Sequence, residues 1–226
     1  MKYSRSNLDD AAAVDLNGKW TLQQEGSRKT IPATVPGCVH SDLVSAVEDW
    51  VSGKVQIHVT SDLLDPVRCR LRWKLTDVDG RVLRRGLQDI LAKSGGNTPA
   101  GELCFQRELD RTGARSLLLW LELSAEKQPA SRNLVLFARP KHLELPDPRI
   151  SCEVETAEDG GFLVTIQSRK PALWAWLEIP DAHLTCSDNF VNLEPGKPAR
   201  MLVKADRAMA LPHVIDKLKV RSLFDM

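Results

Sequence analysis

The sequence predicts an all-β protein: a short strand-bearing N-terminal segment followed by two immunoglobulin-like β-sandwich domains. Three observations lead there. Apolar and polar residues alternate over short runs, as they do in half-buried strands. Turn signals separate these runs at intervals of about 8–12 residues. The runs also fall into two sets of roughly 85 residues, near the size of one immunoglobulin-like domain.

The elements follow in chain order. Trp20-Thr21-Leu22-Gln23 and Thr34-Val35 have strand character. Residues 41–47 suggest a short helix opened by Ser41 or Asp42, both good N-caps. So short a segment, ending near Trp50, cannot close two sheets by itself. It either docks on the first sandwich or keeps partial order with low stability.

Val55-Gln56-Ile57-His58-Val59 begins the first sandwich with strict alternation, and His58 shares a polar face with Gln56 and Thr60. Residues 67–75 put Cys69, Leu71, Trp73 and Leu75 on one face and Arg68, Arg70, Arg72 and Lys74 on the other. Asp77-Val78-Asp79-Gly80 is a hairpin turn, and Arg81-Val82-Leu83 starts the return strand. Residues 86–93 suit a turn of helix stopped by Gly95-Gly96. Leu117-Leu118-Leu119-Trp120-Leu121-Glu122-Leu123 is apolar almost throughout, which suits a central strand covered on both faces. Asn133-Leu134-Val135-Leu136-Phe137 closes the unit.

Pro140, Pro146 and Pro148 then mark a boundary, because proline removes a ladder donor and fixes φ. In the second set, residues 151–156 and 162–166 flank the turn Glu158-Asp159-Gly160-Gly161. Residues 173–179 form a third strand, and the turn Glu194-Pro195-Gly196-Lys197 interrupts residues 192–203. Residues 211–217 make a short helical turn, and residues 217–224 make the last strand. The expected division is 1–50, 51–140 and 141–226.

Composition narrows the classes. The 226 residues carry 31 basic and 30 acidic side chains, a net charge of +1, so no global field points to nucleic acid or an anionic membrane. No apolar run approaches the ~20 residues of a membrane span. The first ten residues lack the apolar core of a secretory signal. Five cysteines without close spacing suit reduced thiols, so a cytoplasmic location is expected.

Two stretches carry a family resemblance. Near the N-terminus stand Asp15-Leu16-Asn17-Gly18-Lys19-Trp20-Thr21-Leu22-Gln23 and Ile31-Pro32-Ala33-Thr34-Val35-Pro36-Gly37-Cys38-Val39-His40-Ser41-Asp42-Leu43. Further on come Val59-Thr60-Ser61-Asp62-Leu63, Phe137-Ala138-Arg139-Pro140-Lys141, Cys186-Ser187-Asp188-Asn189-Phe190 and Val220-Arg221-Ser222-Leu223-Phe224-Asp225. The first stretch resembles the opening of glycoside hydrolase family 2 enzymes of the β-mannosidase type; the second resembles their closing part. The resemblance implies that residues 1–50 are a partial sugar-binding jelly roll. It also implies that the rest of the jelly roll, an immunoglobulin-like domain and the (β/α)8 barrel lie between the two parts in the family. Here the parts meet near residues 50–53.

The resemblance implies hydrolysis of terminal β-linked mannose by two glutamates, the acid/base standing in an Asn-Glu pair. Retaining hydrolysis needs two carboxyl groups about 5–5.5 Å apart, one neutral and one ionised. This sequence has no Asn-Glu dipeptide, and its glutamates fall in turns (Glu158, Glu194) or at strand positions read as exposed (Glu122, Glu153, Glu155). No catalytic residue is assigned.

No metal or cofactor site is assigned either. Cys38 and His40 form one close pair without the second pair that zinc takes. His40, His58, His142, His183 and His213 form no motif. Trp174 and Trp176 lie two apart, so a regular strand places them on one face, where they would form a platform for stacking a sugar ring. Packing in the core is the competing reading, favoured for Trp176, and Trp73 and Trp120 are read as core of the first sandwich. The expected function is a truncated, non-catalytic β-mannosidase relative. The alternative is a carbohydrate- or protein-binding module, with a glycan or a full-length relative as partner.

Overall fold

The computed structural model describes residues 18–23, 30–35, 42–49, 52–125, 130–157, 160–180 and 182–226. The chain is all-β. Strands β1 (Gly18–Gln23) and β2 (Thr30–Val35) pair antiparallel from Gly18 opposite Val35 to Gln23 opposite Thr30.

Seven strands build the first sandwich: β3 (Asp42–Asp49), β4 (Lys54–Ser61), β5 (Val67–Asp77), β6 (Val82–Ala92), β7 (Gly96–Cys104), β8 (Leu117–Ala125) and β9 (Ser131–Leu136). One sheet runs β3-β4-β7 and the other β6-β5-β8-β9. A helix α1 (Gln106–Thr112) links β7 to β8. Alternation works as expected along β4, where Val55, Ile57 and Val59 are buried, and along β5, where Cys69, Leu71 and Leu75 are buried. They meet Leu117, Leu119, Leu121 and Leu123 of β8 in one core with Phe105 and Phe137. Phe105 takes both Trp73 and Phe137 edge-on, at 5.8 and 5.9 Å.

Two expectations are corrected here. Residues 42–49 are strand β3 rather than a helix, paired with β4 from Asp42 opposite Ser61 to Asp49 opposite Lys54. Val44 is buried and Ala46 half-buried while Ser45 and Val47 are exposed, a period of two that a helix would scramble. The edge of β3 is closed by side chains of β9: Ser131 Oγ accepts the Val44 N–H at 3.3 Å, and Asn133 Nδ2 donates to the Val44 carbonyl at 3.2 Å. Residues 86–93, read as a helical turn, instead carry the second half of β6, which ends at Ala92 and whose Ile90 and Ala92 are buried against the first core.

Gly86 explains that second correction. It lies opposite Trp73 on β5, and a Cβ there would stand 2.4 Å from Trp73 Cε2. The indole lies where a side chain would otherwise be, held by Phe105 and by the Arg84 guanidinium 5.7 Å from its ring centre. Gly86→Ala is expected to cost about 1–3 kcal/mol through overpacking, read by urea denaturation. The loss should shrink in a Trp73→Leu background, where the clash is gone.

The second sandwich contains β10 (Ser151–Thr156), β11 (Phe162–Gln167), β12 (Ala172–Glu178), β13 (Leu184–Cys186), β14 (Val191–Leu193), β15 (Ala199–Ala205) and β16 (Lys219–Arg221). Its sheets run β10-β11-β15-β13 and β14-β12-β16. Helix α2 (Leu211–Lys217) contributes the buried Val214 to a core with Val164, Ile166, Leu177, Leu193 and Val203. Between the sandwiches the chain makes a 3-10 turn at Pro140–His142, then an extended run in which Leu143 and Leu145 pack on apolar residues from both sides.

The sandwiches dock through a third apolar cluster. Val78, Leu118 and Trp120 of the first meet Leu173 of the second, flanked by Leu134, Leu136 and Leu223. Strand β8 is therefore covered on both faces, as its apolar run implied. Trp120 is corrected from the first core to this junction: even-numbered β8 positions point away from Leu119 and Leu121. At the far end, Lys170 pairs with Asp79 at 2.7 Å, and Gly80 abuts Pro195 and Pro171.

Candidate functional site

Strand register builds a charged surface beside the junction of the two sandwiches. On the outer face of the β6-β5-β8-β9 sheet, Leu87, Arg72, Glu122 and Arg132 stand side by side on four neighbouring strands. The next row toward the linker is Arg85, Lys74, Trp120 and Leu134. Opposite them the second sandwich brings Asp188, Phe190, Asn192, Glu194, Lys197 and Arg200. The two surfaces enclose a cleft of about 940 Å³.

Its electrostatics centre on two glutamates. Glu122 accepts from Arg132 Nε at 3.2 Å, Arg72 Nη1 at 3.4 Å and Lys197 Nζ at 3.1 Å. Glu194 pairs with Lys74 and, at 2.9 Å, with the same Lys197 ammonium. Lys197 thus bridges the carboxylates, whose Oε2 atoms lie no more than about 6 Å apart, the sum of its two contact lengths. Both side chains are largely buried, 19% and 11% exposed. Burial alone would raise the Glu122 pKa. The hydrogen bonds and charges of Lys197 and Arg132 outweigh it and hold the carboxyl below the ordinary glutamate range.

The reading of Glu122 as an exposed carboxylate is therefore corrected, and the turn residue Glu194 is largely buried beside it. The sequence shows a strand glutamate and a turn glutamate 72 positions apart, each polar within its own domain. The shells combine both sandwiches: Lys197 reaches Glu122 across the junction, and Lys74 reaches Glu194. A usable signal was the opposite charge at paired positions, Arg72 and Arg132 on the strands flanking Glu122. Glu153 and Glu155 are exposed on β10.

The tryptophan pair is not held as a regular strand would hold it. The β12–β14 register shifts between Ala172 and Ala175, and both alanines reach the core. Trp174 sits in this irregularity with φ 52°, 36% exposed, and its N–H donates to Asn192 Oδ1 at 3.1 Å. Trp176 is corrected from core to the opposite side of β12, half-buried, because Ala175 and Leu177 occupy the core side. Its ring stacks on Phe190, centroids 5.9 Å apart and planes 29° apart.

Phe190 is the aromatic residue that sequence reasoning missed. It is 58% exposed at φ 57°, a left-handed conformation that bulky side chains rarely adopt. Asn189 Oδ1 fixes it by accepting the N–H groups of Phe190 and Leu177, at 3.1 and 3.3 Å.

The remaining candidates stay apart. Cys38 and His40 lie outside the described residues. His58 is half-buried on the polar face of β4, its Nδ1 3.3 Å from Asn97 Nδ2. Cys104, Cys152 and Cys186 are free thiols. Among the described residues no three of His, Cys, Asp and Glu gather as a metal cluster, and no helix is long and apolar enough to cross a membrane.

Comparison with known proteins fits this architecture. A family model described as the Mannosidase Ig/CBM-like domain matches residues 53–142, and one described as an Ig-fold domain matches residues 145–226. β-Mannosidase A of Aspergillus fumigatus is 22% identical over 228 residues, covering 95% of this chain and 24% of that protein. β-Mannosidase A of Neosartorya fischeri is 21% identical, covering 95% and 23%. The chain thus spans about a quarter of the length of these relatives.

Among solved structures, the β-D-mannosidase of Dictyoglomus thermophilum superposes with a TM-score of 0.63 at 24% identity, covering 81% of this chain and 22% of that one. The exo-chitosanase CsxA of Amycolatopsis orientalis gives 0.53 at 13% identity, covering 81% and 26%. These two likenesses show the fold. With both domain models matching in tandem, the chain belongs with the β-mannosidase-type relatives of glycoside hydrolase family 2, of which it carries the Mannosidase Ig/CBM-like and Ig-fold domains.

Proposed function

We propose that this chain is a non-catalytic β-mannosidase relative that presents accessory β-sandwiches and does not itself hydrolyse β-mannosides. One observation carries the reading. Glu122 and Glu194 are close enough to suggest the spacing of a retaining glycosidase, yet they share Lys197, and Arg72, Arg132 and Lys74 complete their shells. Retaining hydrolysis needs one carboxyl group neutral, to protonate the leaving oxygen. Here Glu122, despite its burial, is held ionised by Lys197 and Arg132, and Glu194 is paired with Lys74 and Lys197. An ionised Glu122 cannot serve as that acid.

The test is hydrolysis of a chromogenic β-mannoside by the purified chain, with an intact family member as positive control. Release at the buffer rate is expected. Turnover that survives repurification and disappears in Glu122→Gln would sink the proposal.

The alternative, a carbohydrate-binding module, draws support from the exposure of Trp174 and from the left-handed backbone at Trp174 and Phe190. Association with a full-length relative and a cytoplasmic setting belong to the proposal as well. The second is supported by the free thiols Cys104, Cys152 and Cys186.

A further inference from the structure

We infer that the cleft between the sandwiches binds an acidic oligosaccharide, a chain of carboxylated sugars. The proposal stands whether or not the chain hydrolyses β-mannosides. Six cationic side chains line the cleft, Arg72, Lys74, Arg85, Arg132, Lys197 and Arg200, against three carboxylates, Asp188, Glu122 and Glu194. The two glutamates engage four of the cations. Arg85 on β6 and Arg200 on β15 are left without a carboxylate partner among the described residues, one from each sandwich. The cleft thus carries an excess of positive charge, six cations against three carboxylates, with an exposed guanidinium contributed by each sandwich. A ligand carboxylate would balance it, and guanidinium groups suit that geometry by donating two parallel hydrogen bonds.

A second observation selects a sugar over a simple anion. Phe190 lines the same cleft, exposed, in a backbone conformation that costs about 1–3 kcal/mol. Asn189 and the stacked Trp176 ring hold it there. An aromatic face offered beside arginines suits the C–H face of a pyranose ring whose carboxylate reaches the guanidinium. The cleft volume of about 940 Å³ is at the upper end for ligand pockets, which favours an oligomer over a monosaccharide.

The experiment is titration calorimetry of the full chain with oligogalacturonate and oligomannuronate, alongside neutral manno-oligosaccharide and polyglutamate. Both uronate oligomers should bind, more weakly as salt rises. Arg85→Glu and Arg200→Glu should each weaken binding at least about tenfold with the melting temperature unchanged, since both side chains are exposed and unpaired. Phe190→Ala should weaken uronates as well. No uronate binding overturns the proposal, as does binding that ignores both arginine variants. Equal affinity for polyglutamate reduces the site to an acidic-peptide or general anion surface, and a preference for the neutral mannoside excludes the acidic class.

Discussion

Trp120→Ala is expected to destabilise the protein by about 3–5 kcal/mol and to split its unfolding into two transitions. The indole is 8% exposed and sits among Val78, Leu118 and Leu173, where the sandwiches meet. Truncation leaves a cavity that β8 cannot collapse, because the odd-numbered leucines of the same strand are locked in the first core. It also strands Thr76, whose hydroxyl is the acceptor for Trp120 Nε1–H at 3.1 Å and which is 1% exposed. An orphaned buried hydroxyl costs about 1–3 kcal/mol. Trp120→Phe separates the contributions, keeping most of the apolar contact and losing the hydrogen bond, so it should fall well short of the alanine variant. Calorimetry and denaturant titration measure both. A loss below about 1 kcal/mol with a single transition would mean that the cluster does not couple the domains.

Much of the fold was legible, because strand alternation is a local property. The two faces of β5, the turn Asp77-Val78-Asp79-Gly80 and the doubly covered β8 all follow from side-chain period and turn chemistry. The failures came where local propensity competes with pairing. Residues 42–49 look helical in isolation, and β4 makes them a strand. Residues 86–92 contain a glycine whose role appears only when Trp73 is seen across from it. Trp174 and Trp176 do lie off the core side, with Ala175 and Leu177 buried, but the register shift between Ala172 and Ala175 and the left-handed backbone at Trp174 are not visible in the alternation.

The candidate site was much less legible. Arg72, Glu122 and Arg132 are ordinary outward residues of a sandwich taken alone. Nothing in their neighbourhoods along the chain shows that the turn at Glu194–Lys197 will close over them. Sites between domains depend on docking, which rests on a few apolar residues such as Leu118 and Leu173, and these look like any other core leucines. Phe190 was invisible for a related reason: its exposure depends on a left-handed backbone fixed by Asn189.

Glu122→Gln is the second large effect, and its pH dependence bears directly on catalysis. At neutral pH the variant should lose about 1–3 kcal/mol, because Arg72, Arg132 and Lys197 keep their charge beside a neutral amide. The three cations are roughly half exposed, so added salt should narrow the gap. The folded pKa of Glu122 lies below its unfolded value of about 4.3, so its contribution is fully present above that value. It is lost as pH falls through the folded pKa. The difference between wild type and variant should therefore shrink on acidification, read as converging denaturation midpoints. Asp89 is also held low by its partner Arg70, but that pair is exposed to solvent, so Asp89→Asn serves as the control with little effect at any pH. A gap that widens on acidification would mean that Glu122 binds a proton more tightly in the folded state. That is the behaviour required of a general acid, and it would return the Glu122–Glu194 pair to consideration as a hydrolytic centre.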